Sequence, residues 1–181
     1  LVGSEMCIRD RYHADPSGTN DERAKVHYLT KILSIIVLVL AQSHEEMGAH
    51  FQQRPFFRLF SSMLHGLRAA ESSLQGAYNG ALLAIANALY TLQPAFFPGF
   101  AFSWVALVSH RLFLPQLLRG PTSSRAAFHR LMIAQLRFLS PLLRQNTLHD
   151  TTRLLYSSTL RLVLVPVSYT HLRAHETDSY L

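Results

Sequence analysis

The chain has 181 residues, 49% of them hydrophobic, a single cysteine, and a formal charge of +6 from 17 Lys and Arg against 11 Asp and Glu. That length holds one domain with a sizeable core. One cysteine excludes a disulfide framework, and the basic balance permits acidic partners or nucleic acid without demonstrating either.

The first segment in chain order is unlike the rest. With the codons CTC GTG GGC TCG GAG ATG TGT ATA AGA GAC for Leu1 to Asp10, the antisense strand reads Val-Ser-Tyr-Thr-His-Leu-Arg-Ala-His-Glu, which is Val167 to Glu176. Two protein segments have no reason to be complementary in register. An inverted DNA adapter at both ends of a library fragment has to be, and this DNA resembles a transposase-type adapter. The bases next to it agree through Arg11 and Pro166. Residues 1–11 and 166–181 are therefore read as adapter translation, not native sequence, and left out of fold reasoning. They are expected to be irregular and to pack poorly. The native window is residues 12–165, expected to be a truncated piece of a longer chain. Within it 14 Lys and Arg stand against 7 acids, and Cys7 falls outside.

A first helix starts at Thr19 or Asn20, with Asp21 and Glu22 in the turn where acids suit the helix dipole. Val26, Leu29, Leu33, Ile36, Val37 and Leu40 recur at three-four spacing, and Gly48 stops the helix. Its most apolar run, Ile32 to Ala41, is about half of the ~20 residues a bilayer needs and reads as a buried core helix. A second helix starts near Pro55 and carries Phe56, Leu59, Phe60, Met63, Leu64 and Leu67. A third, capped by Ser72 or Ser73, carries Leu74, Tyr78, Ala81, Leu82, Ile85, Leu89 and Leu92. Its alanines, Ala81, Ala84, Ala86 and Ala88, allow a close neighbour.

Pro94, Pro98 and Gly99 make an apolar loop. A fourth helix is expected over 100–118, kinked or shortened by Pro115 and ended by Gly120-Pro121. A fifth, capped by Ser123 or Ser124, carries Phe128, Leu131, Met132, Leu136, Phe138 and Leu139, and stops or kinks near Pro141. A sixth covers about 147–165 with Leu148, Leu154, Leu155 and Leu162. No segment alternates strictly, so strands are not expected. Helices joined by short loops predict an all-α fold of antiparallel helical pairs, an α-solenoid or HEAT-like segment, with a compact bundle as the alternative.

Chemistry is hard to find. His44-Glu45-Glu46-Met47-Gly48-Ala49-His50 looks like a zinc-protease helix, but that motif needs histidines four apart, and Gly48 sits there. The window's acids, Asp15, Asp21, Glu22, Glu45, Glu46, Glu71 and Asp150, lie at helix ends or in loops, where capping and solvation explain them. Its histidines, His13, His27, His44, His50, His65, His110, His129 and His149, share no spacing. No nucleophile elbow or glycine-rich phosphate loop is present. No enzyme, metal or cofactor is expected.

Two patterns rise above this background. Arg130, Arg137 and Arg144 repeat every seven residues, so they line one stripe of the fifth helix if it runs past Pro141, with Arg125 near its start. The stripe is either a solvated face or a docking strip for an acidic peptide or phosphates; it lacks the interleaved aromatics of a single-strand binder. The second pattern is aromatic. Phe51, Phe56, Phe57 and Phe60 surround Arg54 and Arg58, and Phe96, Phe97, Phe100, Phe102 and Trp104 surround the proline loop. Phe56 and Phe57 are adjacent and cannot face one direction, and Phe96 and Phe97 sit in a loop, so core packing and partner contact stay open for these four. The candidate partner-contact residues are Arg54, Phe56, Phe57, Arg58, Phe96, Phe97, Arg130, Arg137 and Arg144.

The string Gln53-Arg54-Pro55-Phe56-Phe57-Arg58-Leu59-Phe60 resembles a signature of the C-terminal domain of the NOT scaffold, the largest subunit of the eukaryotic CCR-NOT deadenylase complex. So do Leu92-Gln93-Pro94, then Pro98-Gly99-Phe100-Ala101-Phe102-Ser103-Trp104, Ser109-His110-Arg111-Leu112-Phe113-Leu114-Pro115 and Arg153-Leu154-Leu155-Tyr156, in the same order. The resemblance covers most of Lys25 to Val165 and departs in 68–75 and 119–125. It implies an α-solenoid-like domain without catalytic residues or cofactor, which docks the two smaller NOT-box subunits. It implies a part in shortening poly(A) tails and repressing translation, with RNA reached only through the complex and the nucleases elsewhere in it. It implies cytoplasmic (P-body) and nuclear location, no membrane and no small-molecule substrate. An RNA-binding helical repeat is the rival reading, and an enzyme the third.

The native transcript is expected to continue into further helix-coding sequence beyond Val165 in place of 166–181. A transcript that encodes Val167 to Glu176 unchanged overturns the adapter reading.

Overall fold

The computed structural model describes residues 19–74, 76–144 and 149–178, with side chains described from Asn20 to Leu164. Residues 1–11, expected to be irregular, lie outside the described residues. Among the described residues there is no strand, and the helices are α1 Thr19–Met47, α2 Arg54–Ala69, α3 Glu71–Leu74, α4 Ala77–Thr91, α5 Ala101–Val108, α6 Leu114–Arg119, α7 Thr122–Leu143 and α8 Asp150–Asp178. Single 3-10 turns occupy Gly48–His50 and Pro98–Phe100.

The helices pack in two layers. α1, α4 and α7 lie side by side in one, and α2, α5 and α8 in the other. α3 bridges α2 to α4, and α6 packs on α7. The three pairs α1–α2, α4–α5 and α7–α8 therefore stack like on like, the solenoid arrangement that the helix lengths and loops predict. α4 sits in the middle. Its expected stripe is buried from Tyr78 to Leu92, and so are Ala81, Ala84, Ala86 and Ala88. Small side chains let α1 come close: a Cβ on Gly80 would stand 2.8 Å from Val26 Cγ2. Gly48 ends α1 with φ +51, a conformation that costs glycine little and other residues more.

Several expectations need correction. The helix expected over 100–118 is two helices, broken at Ser109–Phe113. The break precedes Pro115, which lacks an N–H and fits the first turn of α6 instead of the middle of a longer helix. α7 does not stop at Leu139; it runs through Pro141 to Leu143. Both Pro141 and Arg137, whose carbonyl loses its helical partner there, face solvent, so water can serve that carbonyl. The serine caps do not form. Ser73 Oγ donates backwards to the Ala70 carbonyl, α7 begins after Pro121, and Ser124 Oγ is buried without a partner.

The run Ile32 to Ala41 is not a buried core helix. Leu33 and Leu40 are buried, but Ile35 is 62% exposed, Leu38 66% and Val39 51%. α4 is the principal helix against α1, and one neighbour covers one stripe. Asn20–His50 is the one described segment long and apolar enough to cross a bilayer by length and composition; in the fold it is the flank of a helical layer. The C-terminal flank is not irregular, since the α8 backbone stays helical through Pro166 to Asp178. Intrahelical bonding is local and needs no native partner.

Helix ends are held by distant side chains. Trp104, fully buried in α5, donates Nε1–H to the Leu89 carbonyl of α4 at 2.6 Å. Gln53 Oε1 accepts the Ser103 N–H in the first turn of α5 at 2.9 Å. These are carbonyl and amide groups that a helix terminus leaves without intrahelical partners. Between α7 and α8, buried Gln135 donates to Thr159 Oγ1 at 2.9 Å, Thr159 donates to the Leu155 carbonyl, and Gln135 Oε1 has no partner.

Denaturant unfolding is expected to separate these two polar links. Trp104→Phe removes ring volume and leaves a buried carbonyl unpaired, costing about 2–4 kcal/mol. Gln135→Met removes an orphan acceptor and leaves Thr159 bonded to Leu155, so stability should change by less than about 1 kcal/mol. A loss above about 2 kcal/mol from Gln135→Met contradicts that account.

Candidate functional site

The nine candidate contact residues fall on two parts of the surface and one part of the core margin. Arg54 and Arg58 are exposed on α2. Phe56 and Phe57 are half-buried and both pack against the core, with Phe56 stacked on Phe51 at 5.7 Å between ring centroids. Being adjacent, they splay to either side of the stripe led by Phe60, and neither stands free. Phe96 and Phe97 divide. Phe96 is 67% exposed, whereas Phe97 packs edge-on against His44 at 5.4 Å.

The arginine stripe is real. Because α7 continues past Leu139, Arg130, Arg137 and Arg144 line one exposed side of it. Arg130 is held: its guanidinium donates to Asn87 Oδ1 at 3.0 Å and lies 5.6 Å from the Tyr90 ring centroid. The sequence carries a further signal for this face. From Ser72 to His149 there is no Asp or Glu, while six arginines fall in that span. α7 therefore has no acid of its own to neutralise its cations.

The proline loop is bound to the end of α1. His44 Nε2 accepts the Gly99 N–H at 3.3 Å, and His44 packs edge-on against both Phe51 and Phe97. His44 and His50 are thus separated in role: one buttresses the loop, the other ends the 3-10 turn. Spacing along the chain gave no hint of this, because the contact joins residues 55 positions apart.

The structure also brings together two histidines that share no sequence spacing. His110 and His65 meet edge-on at 5.4 Å. His110 Nδ1 accepts the Leu112 N–H at 3.2 Å, so Nε2 carries the proton and donates to Ser61 Oγ at 3.3 Å. That tautomer is the reverse of a general base aimed at a serine, which needs a bare Nε2 facing the hydroxyl. Burial, then His65 and Arg111, hold the His110 pKa below its ordinary value. Among the described residues no three His, Cys, Asp or Glu side chains gather at one point. Among the described residues the buried polar side chains are Ser103, Ser124, Gln135, Thr152 and Thr159, and the buried ionisable group is the Tyr78 hydroxyl, whose pKa is raised by burial first and then by Glu71.

Stacked helical pairs define a segment of the α-solenoid class. Comparison with known proteins gives the family. Residues 64–167 match the family model "CCR4-Not complex component, Not1". The chain is 34% identical over 157 residues to general negative regulator of transcription subunit 1 of Saccharomyces cerevisiae, covering 76% of this chain and 7% of that one. It is 31% identical over 159 residues to CCR4-NOT transcription complex subunit let-711 of Caenorhabditis elegans, covering 82% and 6%. Among solved structures it is similar to the NOT1 superfamily homology domain from Chaetomium thermophilum, with a TM-score of 0.75, 32% identity, and 79% and 29% of the two chains covered. It is also similar to a Not1 C-terminal domain in complex with Not4, with a TM-score of 0.65, 32% identity, and 79% and 30% covered. The chain belongs to the Not1 family. It spans 7% and 6% of the length of these two curated relatives.

The motifs that carried the resemblance are mainly structural. Gln53, Gly99, Trp104 and His110 each make one of the long-range or turn-forming bonds described above. These four residues hold helix ends and turns together.

Acid should destabilise the protein through His110. Its folded pKa is lowered, so the unfolded chain takes up the proton first as pH falls through about 6.5. Stability is full above that pH and declines below it. His110→Asn, which keeps an acceptor for Leu112 N–H, is expected to make unfolding free energy less dependent on pH between 7.5 and 5. An unchanged slope contradicts the assignment.

Proposed function

We propose that this chain is a non-catalytic scaffold segment of a CCR4-Not complex, docking other subunits and thereby supporting poly(A) tail shortening and translational repression. Membership of the Not1 family, a component of the CCR4-Not complex, carries the reading. The exposed and uncompensated arginines of α7 support it, since a docking helix needs surface chemistry that its own fold leaves unused. One solved relative is a Not1 C-terminal domain in complex with Not4, which favours subunits of the same complex as partners here. RNA is then engaged through the complex, and no cofactor, membrane or small-molecule substrate takes part. Arg54, Arg58, Phe96, Arg130, Arg137 and Arg144 are the exposed contact candidates; Phe56, Phe57 and Phe97 pack against the core beneath. Cytoplasmic P-bodies and the nucleus are the proposed locations.

One observation favours a second reading, direct RNA binding: the acid-free span with its six arginines is the electrostatic footprint of a phosphate binder. The test uses the tagged full-length parent protein. The scaffold reading expects the other Not subunits to co-purify with it, and deletion of the segment to reduce that yield. It expects RNA affinity to be unchanged by Arg130→Glu, Arg137→Glu and Arg144→Glu together. RNA binding that falls steeply with salt and with these substitutions, without subunit loss, overturns it in favour of the second reading.

A further inference from the structure

The outer face of α7 has a regularity that its own fold does not use. Ala126, His129, Ile133, Leu136, Ser140 and Leu143 are all exposed, at alternating spacings of three and four. That is the a and d pattern of a coiled-coil seam. Arg130, Arg137 and Arg144 each follow a d position, so they fill three successive e positions on one flank. Ile133 and Leu136 are each 49% exposed and Leu143 37% exposed. The buried face, with Phe128, Leu131, Gln135 and Leu139, points the other way. An exposed helix face usually balances its cations with acids three or four residues away. Here no acid exists on α7 or on α4, α5 and α6.

We propose that this face is a docking seam for an acidic amphipathic helix of a partner protein. The partner helix lies along α7, sets its apolar stripe on Ile133, Leu136 and Leu143, and places carboxylates against Arg137 and Arg144. Arg130, already fixed by Asn87 and Tyr90, marks the end of the seam against α4. A nucleic-acid strand fits less well, because phosphates satisfy the arginines but leave the three aliphatic side chains uncovered. The proposal deepens the scaffold reading and rests on it only in taking the occupant to be a protein.

The experiment uses the full-length parent protein in its assembled complex, with the photo-cross-linking residue p-benzoylphenylalanine replacing Ile133, an exposed position. The adduct is expected to be a peptide of another chain whose acids repeat at heptad spacing. Its yield should fall about fivefold or more in Arg137→Glu with Arg144→Glu, persist in Arg137→Lys with Arg144→Lys, and return when the cross-linked acids are changed to Lys. A nuclease-sensitive adduct, an adduct to a later segment of the same chain, or a yield indifferent to these charges overturns the proposal. Subunit co-purification is read in parallel. Subunits retained with no acidic-helix adduct defeat the seam and leave the scaffold reading standing. An acidic-helix adduct with no Not subunit recovered supports the seam and defeats the scaffold reading.

Discussion

α4 is apolar over most of its circumference. Nine of its residues, Ala77, Tyr78, Ala81, Leu82, Ala84, Ile85, Ala86, Ala88 and Leu89, are buried, while a strip with Asn79, Asn87, Tyr90 and Thr91 reaches solvent, and an apolar surface that wide has to be covered by more than one neighbour. α1 and α7 cover its flanks within the layer, and Trp104 of α5 reaches its C-terminal carbonyls from the other layer. The two-layer stack is the arrangement that meets this demand with helices of this length. α1 has α4 as its one principal neighbour among the described residues, which is why it keeps Tyr28, Ile35, Leu38 and Val39 in the open while its inner stripe is closed.

The same economy governs the helix ends. α2, α4, α5, α6 and α7 have no side-chain hydrogen bond at the N-cap position. Distant residues take part of that role. Gln53 meets the first turn of α5, Trp104 meets the last turn of α4, and His44 meets Gly99 at the proline loop. Local capping is worth about 1 kcal/mol and forms with the helix itself; a cap from another helix forms only when the layers close. The ends of these helices are thus tied to assembly of the pairs, which makes the segment cooperative across its loops.

Charge follows a separate logic. Between Asn20 and Leu164 the acids lie on α1, α3 and the start of α8, in first and last turns, and α7 carries no acid to offset its arginines. Phe96 is the only one of the four questioned phenylalanines to remain mostly outside, while Phe56, Phe57 and Phe97 join the core margin. Contact chemistry in this segment therefore rests on arginine and exposed aliphatic side chains more than on the aromatic clusters that first attract notice.

From the residues alone one reads the helical periodicity, the stripes on α1, α4, α7 and α8, the glycine stop at Gly48, the failure of the zinc-like string, and the arginine repeat. Each of these depends on neighbours within a turn or two. What needed the tertiary structure was every contact between residues far apart: which half of the Ile32 to Ala41 run is covered, where the chain breaks before Pro115, which phenylalanines are free, and that His110 meets Ser61 and His65. Periodicity says which side of a helix is apolar, but not how many neighbours arrive to cover it. A histidine's role is set by the atoms facing its two nitrogens, and for His44 and His110 those atoms include groups 55 and 49 residues away.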